Sequence, residues 1–287
     1  MTIKTRATDL QATAKRYAER AEASRQSHGS IDAVYVMVDR DAEVGGGIMA
    51  GSLAYRLFIW LLPFSLVVVA GIGLGTDLTS ESAASATRSL GLRGLVAKSV
   101  AESSQSSSRW YALVIGIPVL IWATRNLLRA LVVVHRLVWG DPRGLTHRVT
   151  PRATARFLVL ALVYFLVLEF ASHVGSWTGS YILRVVVAFA GLFGWWLVIS
   201  LRLPHQDAPW HALVPGALLM AIGLELISGL GSWFIASRVN SSQSAYGVLG
   251  VAAGLLFGLF LISRLVVASA VLNATIWERR SGQAAET

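Results

Sequence analysis

Cysteine is missing from all 287 residues, which excludes disulfides and thiolate metal sites. Charge is scarce as well: Asp, Glu, Lys and Arg make up 14% of the chain, against about 25% in a soluble domain. Acid is the scarcer sign, with 16 Asp and Glu against 25 Lys and Arg and a formal net charge of +9. In a soluble protein that excess would raise nucleic acid as a partner. No aromatic–basic module accompanies it, and Lys and Arg collect in the cytoplasmic segments of membrane proteins. Nucleic acid is therefore not an expected partner. No apolar run with a small-residue cleavage site lies near the N-terminus, so no signal peptide is expected.

What the chain has instead is long apolar runs. Residues 48–74 carry one ionisable side chain, Arg56. At about 1.5 Å per residue this run outreaches a hydrocarbon core of about 30 Å. Five more apolar segments follow, at 110–134, 157–174, 182–203, 212–236 and 245–276. The pattern predicts an all-α polytopic integral membrane protein, a bundle of six transmembrane helices. Residues 1–47 form a cytoplasmic N-terminal segment, 48–277 the transmembrane domain and 278–287 a cytoplasmic tail. The N-terminal segment is helix-prone, and its apolar face is mostly alanine, so a solvated helix is favoured over one inserted in the leaflet. The long loop 76–109 carries Leu90, Leu92, Leu95, Val96 and Val100. These residues predict an amphipathic helix resting on the outer surface or capping the bundle.

Orientation follows from Lys and Arg. With the N-terminus inside, cytoplasmic segments hold fifteen of them and outer segments five. Both termini are expected in the cytoplasm.

Several short strings resemble the YihY/BrkB family of bacterial inner-membrane proteins, once labelled ribonuclease BN. They are Gly51-Ser52-Leu53-Ala54-Tyr55 with Leu62-Pro63-Phe64, then Trp122, Pro204, Trp210 and Pro215-Gly216-Ala217. Tyr246-Gly247 and Leu272-Asn273-Ala274 complete the set. The resemblance covers roughly 35–277 and implies six membrane helices, with no settled activity and no catalytic residues. The chain departs from the family at Val271, where an acid is usual. It also departs at Arg56, where tyrosine is common, and at Arg264, in an aromatic-rich stretch. The family acid is lost here or moved, with Glu225 as its replacement.

Charges inside spans are the residues that could carry chemistry, because each costs about 2.5–3.5 kcal/mol at the bilayer centre. Arg56, Arg125, Arg129 and Arg264 fall in the inner half of the membrane and Glu225 near mid-depth. With Asn273 they make a hypothetical basic pocket open to the cytoplasm. Arginine's planar fork suits phosphate oxygens, so the pocket would take an anionic lipid head group or other anionic amphiphile, to transport or flip it. Glu225 would serve as counter-charge or proton-coupling site. The plainer alternative has Arg129 snorkelling to the interface, Arg56 or Arg264 paired with Glu225, and Arg184 paired with Glu169. The protein would then be a non-transporting membrane scaffold that binds lipid or partner proteins.

Other motifs yield less. Gly71, Gly73 and Gly75 lack the rest of a dinucleotide unit and suit helix packing. Glu169 and His173 are too few for a metal site. Gly250, Gly254 and Gly258 form a small-residue ridge expected to pack within the bundle, a homo-oligomer being the other use. No metal, cofactor or catalytic residue is expected. Ribonuclease activity is not expected either, since no acid–base pair or metal cluster stands in an aqueous segment.

Overall fold

A computed structural model describes residues 29–75, 108–141, 149–178, 181–242 and 247–285. The expected helix within 1–28 and the amphipathic stretch of the 76–107 loop lie outside the described residues. So do the side chains of Glu169 and His173 and the surroundings of the glycines at 71–75.

The described residues form seven α-helices and a 3₁₀ turn, with no strand among them. In chain order they are α1 Gly29–Glu43, α2 Gly46–Gly75, α3 Ser108–Val138, α4 Pro151–Thr178, α5 Tyr181–Ser200, the 3₁₀ turn Trp210–Leu213, α6 Val214–Ser242 and α7 Gly247–Ala285. Five stretches are long and apolar enough to cross a membrane: Gly46–Val68, Leu113–Val138, Ile182–Ser200, Trp210–Gly229 and Ala253–Gly282. The sequence segment 157–174 falls within α4, a helix of 28 residues that is not among those five stretches. The last helix runs to Ala285, past the expected end at 276, because Trp277 to Ala285 contains no helix breaker but Gly282 and packs against α1.

Local chemistry sets the helix ends. Gly45 has φ +66° and its amide donates to the Ala42 carbonyl at 3.1 Å, closing α1 with a left-handed residue that a Cβ would disfavour. Gly140, at φ +62°, ends α3 in the same way, with the Asp141 amide reaching back to the Arg136 carbonyl at 3.0 Å. At the start of α4, Pro151 takes the first helical position and Thr150 Oγ1 accepts the Ala153 amide at 3.2 Å.

The six long helices close a ring. α2 packs on α3, α3 on α4, α4 on α5, α5 on α6, α6 on α7, and α7 returns to α2. The main core draws from all six, through Leu53, Trp60, Leu127, Ala161, Trp196, Met220 and Val266. Its polar atoms find partners, as a dry interior requires. Trp60 Nε1 donates to Thr124 Oγ1 at 2.9 Å, whose own hydroxyl donates to the Leu120 carbonyl at 2.7 Å. Trp196 Nε1 donates to Ser269 Oγ at 3.2 Å. A second core gathers Ala50, Val138, Trp139, Ala212, Leu213, Val271 and Ala274, so the start of α2, the end of α3, the 3₁₀ turn ahead of α6 and the second half of α7 share one end of the bundle. α1 packs on α7 and α2 at this end.

The outside is apolar too. Val114, Ile115 and Trp122 on α3, Leu166 on α4, Ile182 on α5 and Leu226 on α6 are all exposed. Apolar surface on this scale, set on helices of spanning length, belongs to a membrane protein. The glycine ridge on α7 departs from expectation. A Cβ at Gly254 or Gly258 would meet nothing within 4 Å among the described residues, so these glycines do not pack inside the bundle there. The close approaches are elsewhere, at Gly191 against Val167, Gly216 against Asn273 and Gly223 against Leu265.

Candidate functional site

Three of the six residues picked from sequence come together where α2 meets α3. Arg56 reaches across from α2, and its Nη1 donates to the Asn126 carbonyl at 3.1 Å. Arg129, one turn further along α3, donates to the Asn126 side-chain oxygen at 3.4 Å. Arg125 turns toward the chain entering α4 and donates to the Val149 carbonyl at 3.2 Å. Its Nε is buried with no hydrogen-bond partner among the described residues. Arg125 and Arg129 are four apart and so lie on one helix face, and Asn126 is the acceptor shared by Arg56 and Arg129, through its carbonyl and its side-chain oxygen, while Arg125 is held by Val149.

The electrostatics of this cluster are one-sided. Arg56 and Arg125 are half-buried and Arg129 is exposed. Their partners are neutral carbonyl and amide oxygens, and no carboxylate forms an ion pair with any of the three among the described residues.

The other three residues stand apart. Arg264 on α7 forms a two-pronged ion pair with Asp41 of α1, Nη1 to Oδ1 at 2.7 Å and Nη2 to Oδ2 at 2.8 Å. The alternative pairing of Arg56 or Arg264 with Glu225 is not formed: Arg264 takes Asp41, and Arg56 takes the Asn126 carbonyl. Glu225 is half-buried on α6. Asn273 is committed to structure. Its side-chain oxygen accepts the amide of Gly216 at 2.7 Å in the buried first turn of α6. Arg184 is exposed on α5. A cavity of about 430 Å³ lies between α1, the end of α3 and α7, lined by residues including Asp39, Arg40, Glu43, Val138 and Glu278. None of the six picked residues lines it.

Sequence reasoning missed Asn126 and Asp41. Asn126 was visible as a polar residue between two arginines inside a span, the place where a polar side chain needs a reason. Asp41 lies just ahead of the first span, beside Arg40, and only acids within spans were weighed as partners for Arg264. Among the described residues no group of three or more His, Asp or Glu side chains is placed to hold a metal ion.

Comparison with known proteins adds identity without adding chemistry. No solved structure matches the chain. It is 22% identical over 268 residues to the ribonuclease-like protein YfkH of Bacillus subtilis (strain 168), covering 82% of this chain and 91% of that one. That name describes YfkH, and nothing in this chain's geometry adds an activity to it. Two of the strings that carried the resemblance meet in space: Gly216 of Pro215-Gly216-Ala217 bonds Asn273 of Leu272-Asn273-Ala274. The family described as virulence factor BrkB matches residues 40–287, and the chain belongs to that family.

Proposed function

We propose that this protein is a non-enzymatic, six-span plasma-membrane protein of a bacterium, with both termini in the cytoplasm. It takes the phosphate-bearing head of an anionic amphiphile at the cytoplasmic leaflet and moves it. The single observation that carries the reading is the α2–α3 arginine cluster. Arg56, Arg125 and Arg129 converge on Asn126 and Val149 with neutral acceptors and no carboxylate among the described residues. An anionic lipid head group supplies the missing charge and oxygens, and basic pockets between helices on the cytoplasmic side are where such head groups bind. The fifteen-to-five distribution of Lys and Arg supports the orientation that puts this end inside. The length of α4, 28 residues, together with the apolar stretch 157–174, supports counting it as the sixth span.

A second reading is favoured by Arg264. Its fork is closed by Asp41, and Glu225 lies apart from the cluster, so the charges do not line one path. On that reading the protein binds anionic lipid as a scaffold and moves nothing. Proteoliposomes containing phosphatidylglycerol with a fluorescent chain separate the two. The transport reading predicts that label crosses the bilayer with the wild type and slows at least tenfold with Arg56→Ala/Arg125→Ala. Equal rates in protein-free vesicles, wild type and variant would contradict transport and leave the scaffold.

A further inference from the structure

α1 is fastened to α7 mainly by charge. Asp32 pairs with Arg279, Arg40 with Glu278, and Asp41 with Arg264. Arg40 also reaches the Val138 carbonyl at the end of α3, through Nε at 3.2 Å. Among the described side chains of this segment, Val34, Tyr35 and Val38 are exposed, while Met37 and Val44 contribute partly buried contacts to the second core. Between α1 and the end of α3 lies the 430 Å³ cavity, walled on the α1 side by Val36, Asp39, Arg40 and Glu43. α1 is therefore undercut where a firmly docked helix would be packed.

The connection to α2 is a hinge by composition. Gly45 holds φ +66°, and Gly46 and Gly47 follow it. Gly46 leaves room for the ion pair: a Cβ there would lie 2.6 Å from Asp41 Cγ and 2.9 Å from Arg264 Nη1. The pair itself is accessible, with the Arg264 side chain 38% exposed. The Asp41 side chain is 19% exposed, so an anion can approach the fork from outside, although the two-pronged geometry makes Asp41 a strong occupant.

The occupant of the Arg264 fork is informative. A carboxylate gripped by both guanidinium nitrogens presents the geometry by which arginine also grips a phosphate. We propose that Asp41 is a built-in stand-in for an anionic ligand, and that α1 is a strap. A phosphate-bearing anion exchanges with Asp41 on Arg264, and α1 swings away on Gly45. This is a second anion site, separate from the α2–α3 arginines and independent of whether they bind lipid. The ligand chemistry is a phosphate mono- or diester oxygen pair, from a lipid head group or from free phosphate.

The absence of cysteine makes the test direct. A single cysteine in place of exposed Val34 carries a spin label, with the full-length protein in nanodiscs of zwitterionic lipid. Inorganic phosphate is titrated in one arm and dihexanoyl phosphatidylglycerol in the other. Label mobility is expected to rise with ligand in the wild type. In Asp41→Asn it is raised before any addition, and binding of the same two ligands, followed by isothermal titration calorimetry, tightens at least tenfold. In the Asp41→Asn/Arg264→Gln double variant, which leaves no charge stranded, addition has no effect. A response to phosphate assigns the site to free anions, and a response to the lipid alone assigns it to head groups. Label mobility that stays flat in both arms, with Asp41→Asn binding no tighter than wild type, overturns the proposal. Lipid retention by the α2–α3 arginines is read separately in Arg264→Gln, which leaves them intact.

Discussion

Single residues carry the clearest energetic statements. Gly216 has no room for a side chain, since a Cβ would lie 2.5 Å from the Ser269 carbonyl oxygen and collide with the Asn273 amide. Gly216→Ala is expected to cost about 1–3 kcal/mol, the usual range for overpacking. Asn273→Ala leaves the buried Gly216 amide without its acceptor and should cost about 1–3 kcal/mol. Thermal unfolding in detergent measures both, and a variant as stable as wild type would remove Asn273 from the structural role given to it. Arginines inside apolar runs were legible in the sequence because each is an expensive exception there. Their partners were not. Asp41 and Arg264 are 223 residues apart in the chain, and nothing in a single sequence reports which distant acid a guanidinium finds. Asn273 was legible as polar, but its bond to the Gly216 amide was not, since a backbone amide is silent in sequence.

At the scale of elements, apolar runs gave the helices and small residues gave their ends. The runs at 48–74 and 110–134 became α2 and α3, each extended by a few residues to the glycine or cap that stops it. α1 carries Val34, Val36 and Val38 ahead of Asp39, Arg40 and Asp41, and its ionic attachment to α7 is something no single sequence reports. Its ion pairs are part-exposed, so each should contribute little alone. Glu278→Gln is expected to lower stability by less than about 1 kcal/mol. Hydrogen exchange should be faster in α1 than in α2 and α3, whose buried faces form the core. Protection of α1 equal to theirs would show a helix held by packing. The Gly254–Gly258 ridge is the opposite lesson. A small-xxx-small pattern is legible but does not say which surface it meets, and within the described bundle it meets none.

For the whole molecule, composition sets the class and charge sets the expected direction, while ring order is invisible until the helices are seen to pack. Because the chain has no cysteine, single cysteines report topology cleanly. Cysteine at Arg280 should react with an impermeant maleimide only after the inner face is opened, and cysteine at Ser104 from the outside. The reverse pattern would contradict the orientation, and reaction of both from one side would contradict an odd number of crossings between them. The central claim is that an anion completes the α2–α3 arginines, and native mass spectrometry of the purified protein tests it most directly. Wild type and Arg264→Gln should retain a selected anionic lipid, and Arg56→Ala/Arg125→Ala should lose it at least tenfold while remaining folded. Retention of unselected bulk lipid, equal in all three proteins, would contradict the claim.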